Sequence, residues 1–210
     1  MALHPSPSLA QLLATSPVPL WQGRQVPCLS TQPTGFAALD RSLPGGGWPL
    51  GTLIEILPTC FGVGEVSLLL PTLRALIETG RTLALIAPPY LPYAPAWHRH
   101  GVPLHSLVWL DVPREHNACW AAEQLLREGT LTLLWSTVTQ SRPLRRLQLA
   151  AETGRSLAFL FRTHRALHQP SPAAVRVALS PEPHGVRIEL FKVRGGPAAQ
   201  LTVPLQWPCA

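Results

Sequence analysis

The stretch EILPTCFGVGEVSLLL, residues 55–70, has the layout of a phosphate-binding loop: an apolar strand, a glycine-bearing turn, then an apolar run of helical length. The chemistry of such a loop depends on residue type. Glycines let the backbone wrap an anion, a lysine reaches the terminal phosphates, and the hydroxyl that follows holds Mg²⁺. Gly62 and Gly64 supply the turn, but Glu65 and Val66 stand where the lysine and the hydroxyl residue belong. The only lysine in the chain is Lys192, far downstream, so no register carries an intact loop. Glu65 would also set a negative charge against a phosphate. The residues favour a glycine turn before a packed helix over nucleotide binding without the lysine, and no cofactor is expected.

The other reactive types do not converge either. An acid should close an apolar strand beside a phosphate loop, yet TLTLLWST ends in Trp135 and Ser136. SLVWLDVP does end in an acid, Asp111, where a loop or helix-cap role is preferred over a metal role. Asp40 and Asp111 are the only aspartates. His98, His100, His105 and His116 share one region, and His164 and His168 are four apart. Zinc needs three or four ligands with outer support. No cysteine or carboxylate set completes either group, which leaves histidines solvated on loops. There is no GxSxG elbow, no pair of catalytic acids, and no spacing that singles out a triad. No catalytic residue and no metal site is expected, and the chain does not read as an enzyme.

The basic residues carry more information. SRPLRRLQ holds Arg142, Arg145 and Arg146, and FRTHR adds Arg162 and Arg165. These follow predicted strands or open helices, near the edge where α/β sheets bind ligands. They read either as a solvated basic face or as contacts to a DNA backbone or an acidic partner. The formal charge of +6 fits both, and it is carried almost wholly by arginine, which suits bidentate phosphate and carboxylate contacts. In GVRIELFKVRGGPAAQLTVPLQWPCA, Lys192 and Arg194 alternate with Phe191 and Val193, so both charges share one face of a strand. With Trp207 they form a candidate docking surface; the plainer reading has Trp207 packing the tail onto the sheet.

Positioning these residues requires a core. The 210 residues suffice for one α/β domain, and 46% of them are hydrophobic. The 24 prolines gather at both ends and in APPYLPYAPAW, which predicts a proline-rich arm over residues 1–34, with SLAQLLAT as one short helix. The body, 35–207, opens on a helix in TGFAALDRSL and a glycine turn in PGGGWPLG. Strands follow at TLIEIL, RTLALIAP, SLVWLDVP, TLTLLWSTV and SLAFLFR. Between them lie helices in EVSLLLPTLRALIETG (with Pro71 as a kink), YAPAWHRHG, NACWAAEQLLREG and PLRRLQLAAETG. Such alternation predicts a mostly parallel sheet covered by helices on both faces. Residues 174–207 change style and predict antiparallel strands. Four scattered cysteines without a CxxC pair read as free thiols. With no basic leader and no long apolar run at the N-terminus, they point to a cytoplasmic location without membrane contact.

The segment STQPTGFAALDRSLPGGGWPLGTLIEILPTCFGVGEVSLLLPTLRALIETGRTLALIAPPY resembles the core of RecA-type recombinases, most specifically in TGFAALDRSLPGGGWPLGTLIEI. The missing lysine, with LPGGGWPLGTLIEIL, RPLRRLQLAAETG, QPSPAAVRVAL and LFKVRGGPAAQLTVPL, is similar to the ImuA family of bacterial damage-induced mutagenesis operons, over roughly residues 20–207. LLLPTLRALIETGRTLALIAPP and GRSLAFLFR also look like the SulA division inhibitors, which generally lack the TGFAALD…PGGGW segment and the KVRGG tail. The resemblance implies a RecA-like fold without Walker motifs. The catalytic glutamate of RecA falls near Pro88 and Pro89 here, and its Walker B aspartate near Trp135. Lys192 and Arg194 match a basic pair that RecA-like assemblies offer across a subunit interface. The implied role is a non-catalytic accessory of SOS-induced translesion synthesis. Its implied partners are RecA, an ImuB-type Y-family-like protein, an error-prone replicative-type polymerase reached indirectly, and DNA. The alternative it implies is a SulA-type inhibitor that binds FtsZ.

Overall fold

The apolar runs become strands because alternate side chains find a core on either side. The computed structural model describes residues 30–205. Its strands are β1 Thr31–Gln32, β2 Trp48–Pro49, β3 Thr52–Pro58, β4 Leu83–Ile86, β5 Leu107–Leu110, β6 Leu131–Trp135, β7 Leu157–Phe161, β8 Val175–Glu182, β9 Gly185–Val193 and β10 Ala199–Pro204. The α-helices are α1 Ala37–Ser42, α2 Leu70–Glu78, α3 Ala94–Arg99, α4 Glu115–Arg127 and α5 Ser141–Thr153. An eight-stranded sheet has the order β10-β9-β8-β3-β7-β6-β4-β5. From β8 to β5 the strands are parallel; β9 and β10 close the other edge antiparallel. The fold is thus α/β with a mostly parallel sheet flanked by helices.

Period-two alternation divides the core cleanly. Ile54, Ile56, Leu83, Leu85, Leu133, Phe159 and Phe161 pack on one face with Leu73, Leu76 and Ile77 of α2. Leu53, Ala84, Ile86, Leu134, Ala158 and Leu160 pack on the other with Ala118, Ala122 and Leu126 of α4 and Leu144, Leu147 and Ala151 of α5. Small residues on α4 and α5 let these two helices lie close to each other and to the sheet. Gly154, just past α5, has the same purpose: a Cβ there would sit 1.9 Å from the Leu126 carbonyl oxygen. The left-handed turn that ends the helix therefore falls on Arg155, at φ +47°.

Two expectations need correction. Residues 65–69 form consecutive turns and α2 begins only at Leu70, so Pro71 lies in its first turn and kinks nothing. A proline there forfeits no helical hydrogen bond, because the first N–H groups have no intrahelical acceptor. The boundary of the arm also shifts: residues 30–34, assigned to it, belong to the folded body. Thr31 pairs with Pro49 in the β1–β2 ribbon, and the Thr72 hydroxyl donates to the Pro33 carbonyl at 3.0 Å. The antiparallel strands expected over residues 174–207 are present as β8–β9 and β9–β10, and β8 also pairs parallel with β3 and so extends the main sheet. The predicted short helix near the N-terminus and Trp207 lie outside the described residues.

Candidate functional site

Strand β3 delivers the chain to the carboxyl edge of the parallel sheet, the edge where α/β folds build their sites. Gly62 and Gly64 both have positive φ there, +92° and +100°, conformations a Cβ would strain. The turn ends on Glu65, whose side chain folds back into it. Gly62 N–H donates to Glu65 Oε1 at 2.8 Å. An internal carboxylate thus takes up a backbone N–H that a phosphate loop presents to its ligand. Glu65 is only 4% exposed, and its second oxygen, Oε2, has no hydrogen-bond partner.

Above this loop opens a cleft of about 280 Å³. Its walls come from β3's loop, from the segment after β4 (Pro88, Pro89, Tyr90, Tyr93), from Trp97 on α3 and from Trp135 at the end of β6. Among its lining residues Glu65 is the one charged group, and no arginine, lysine or histidine is present. The Trp135 ring stacks on Phe161, with centroids 4.6 Å apart and planes 17° apart. Its Nε1–H is buried without an acceptor. Ala87, at φ +49°, turns the chain out of β4 toward the prolines. The outer lip is apolar and open: Tyr90, Leu91 and Tyr93 are 69%, 75% and 66% exposed.

A different arrangement fills the interior beside β3. Glu55, fully buried at the middle of that strand, receives Arg176 Nε at 2.7 Å, Arg162 Nη1 at 3.3 Å and the Ser171 hydroxyl. Arg176 also donates to the carbonyls of Ala166 and Leu167 and lies over the Phe191 ring, 4.7 Å from its centroid. Arg162 donates to Gln169 as well. Arg162 was expected at a DNA or partner surface; it is 1% exposed, because Glu55 needs a buried counter-charge. Burial pulls its guanidinium below the ordinary value, against the attraction of Glu55. The cluster was legible in part: a lone acid inside TLIEIL must be paired if the strand is central. Its partners, Arg162 just past β7 and Arg176 on β8, are distant in sequence.

Lys192 and Arg194 adjoin this cluster. Lys192 Nζ donates to the Ser171 carbonyl at 2.6 Å, and Arg194 Nη2 to that of Pro172 at 3.4 Å. Burial, then the charges of Arg176 and Arg194, lower the Lys192 ammonium from its ordinary value. A bulge in β9 beside Arg176 and Val177 interrupts the strict alternation. Lys192 lies across from Arg176, near the start of β8, away from the carboxyl edge.

Arg142 and Arg145 are exposed on α5, and Arg165 is exposed on the 3₁₀ turn after β7. Arg146 is half exposed and pairs with Glu123 of α4 at 2.6 Å, where Arg127 pairs too. Beside them lies a second cleft of about 340 Å³, lined by Glu115, Cys119, Trp120, Glu123, Thr137 and Arg146. Glu115 anchors the loop after β6: its carboxylate accepts from the Ser136 and Thr137 hydroxyls and from Thr137 N–H. Burial would raise the Glu115 carboxyl, but these hydrogen bonds outweigh it and hold it below the ordinary value. Burial, then the Glu115 charge, pushes the Cys119 thiol up to about 11, so it is protonated at neutral pH. Asp111 is exposed beyond β5. Among the described residues no three His, Cys, Asp or Glu side chains converge as a metal-binding group, and no helix is long and apolar enough to cross a membrane.

No protein-family model and no curated protein matches the chain.

Proposed function

We propose that this protein is a RecA-like accessory factor without nucleotide chemistry, belonging to the ImuA type. It links RecA and damaged DNA to an ImuB-type partner, and through that partner to an error-prone polymerase. The observation that carries the non-catalytic half is Glu65: a carboxylate buried in its own glycine turn, bonded to Gly62 N–H, where a phosphate would need both that N–H and a lysine. The positions that the resemblance assigns to the catalytic acids hold Pro88, Pro89 and Trp135, and these line the cleft with no carboxylate but Glu65. Phosphoryl transfer runs on positioned cations and metal-held phosphates, and the cleft lining offers no cation.

The adaptor half is supported by the sequence resemblance and by surface chemistry. Arg142, Arg145 and Arg165 are exposed and follow neighbouring strands β6 and β7 at the carboxyl edge. Guanidinium groups so placed bind phosphates or carboxylates of a partner with an affinity that falls as salt rises. The reading is tested by capturing the tagged full chain from DNA-damaged bacterial cells. RecA and an ImuB-type protein are the expected co-purifying partners. Capture of FtsZ in their place would move the assignment to a division inhibitor, and recovery of neither set would remove it.

A further inference from the structure

The lining of the cleft above Glu65 offers a phosphate no cation, but it is not featureless. Two residues of its lining each carry a buried polar atom without a partner: an acceptor, Glu65 Oε2, and a donor, Trp135 Nε1–H. An unpaired buried carboxylate oxygen is costly, and an unpaired indole N–H adds to the cost. Both costs vanish if one ligand brings a cationic donor for the carboxylate and an acceptor for the indole. The walls suit the same ligand. Tyr90, Tyr93, Trp97 and Trp135 line the cleft, and aromatic faces attract ammonium and guanidinium groups. No basic side chain lines the cleft to repel such a group.

We infer that this cleft receives an arginine or lysine side chain presented by a partner polypeptide. A polypeptide supplies both missing partners at once: the side-chain cation for Glu65 Oε2 and a backbone carbonyl for Trp135 Nε1–H. The exposed lip of Tyr90, Leu91 and Tyr93 gives flanking residues of that segment an apolar surface to cover. The inference rests on the reading that the loop is closed to phosphate, and it names what the same site accepts instead. The glycine turn is kept while the charge of the ligand is inverted.

The test uses the full chain labelled with ¹⁵N at tryptophan, with the Trp135 indole signal identified by its loss in Trp135→Phe. The probe is the capped peptide acetyl-Leu-Arg-Leu-amide. Its controls are the same peptide with citrulline for arginine, and ethylguanidinium as a free cation. The arginine peptide should shift the Trp135 signal to saturation. Citrulline in the peptide, or Glu65→Gln in the protein, should each weaken binding about tenfold or more, the loss of one charge-assisted hydrogen bond. Glutamine keeps an oxygen for Gly62 N–H, so the turn stays formed; a melting curve checks this. Ethylguanidinium should bind more weakly than the peptide. No response to the arginine peptide, or an equal response to its citrulline form, overturns the inference. Equal binding of ethylguanidinium would make the ligand a small cation and overturn the polypeptide assignment. A separate titration with Mg-ATP distinguishes the two readings: a shift there refutes the closed loop, whatever the peptides do.

Discussion

Glu55 and Glu65 lie ten residues apart, one in the middle of β3 and one in the turn beyond it, and both are buried. Their surroundings differ in kind. Both oxygens of Glu55 are taken, by Arg162 and Ser171 on one side and Arg176 on the other. Glu65 has one oxygen bonded to Gly62 N–H and the other free. A fully paired buried acid ties strands together and leaves nothing for a ligand. A half-paired one keeps a bond to offer. The difference separates architecture from site in a protein where both acids look like intrusions into apolar sequence.

Removing each acid sharpens that contrast. Glu55→Ala leaves two guanidinium groups buried without their counter-charge, and should cost about 3–5 kcal/mol of stability. Denaturant melts of the variant measure it; a loss below about 1 kcal/mol would mean the cluster is not the tie described. Gly64→Val puts a β-branched residue at φ +100°, and should cost roughly 2 kcal/mol or more, with Gly62→Val close behind. If both variants melt as the parent does, the turn is not held by its glycines. Glu65→Gln should change stability by less than about 1 kcal/mol, since Gly62 N–H keeps an acceptor. A loss as large as that of Glu55→Ala would erase the distinction between the two acids. The triple change of Arg142, Arg145 and Arg146 to alanine should have the smallest effect on folding, within about 0.5 kcal/mol, because these groups are exposed and Glu123 keeps Arg127. Its effect should appear in binding: weaker, less salt-dependent association with DNA or with RecA. Unchanged binding to both would leave α5 as a solvated face.

The order of strands and helices was readable from sequence because the central β runs are almost wholly apolar and each helix ends at a glycine or proline signal. What could not be read is pairing across distance. FRTHR looks like a surface basic stretch until β7 and β8 flank β3 and bring Arg162, just past β7, and Arg176, on β8, onto Glu55. The fold-back of Glu65 was equally hidden, since a glycine turn followed by an acid says nothing about where the carboxylate points. Residues 30–34 were misassigned because they continue a proline- and serine-rich stretch that suggests an arm, while the β1–β2 ribbon that anchors them depends on Gly47. A Cβ there would sit 2.2 Å from the Gln32 carbonyl oxygen. Trp135 was noted only as the place of a missing acid; its unsatisfied indole became visible with the cleft around it.

The proposal that stands or falls first is that Glu65 closes the loop to phosphate and leaves the protein without nucleotide chemistry. The most direct test incubates the purified full chain with Mg-ATP, with and without single-stranded DNA, and follows phosphate release. The account predicts release no faster than the buffer control in either case. Magnesium-dependent turnover on the order of 1 s⁻¹ or faster, the range of ordinary enzymes, would contradict it.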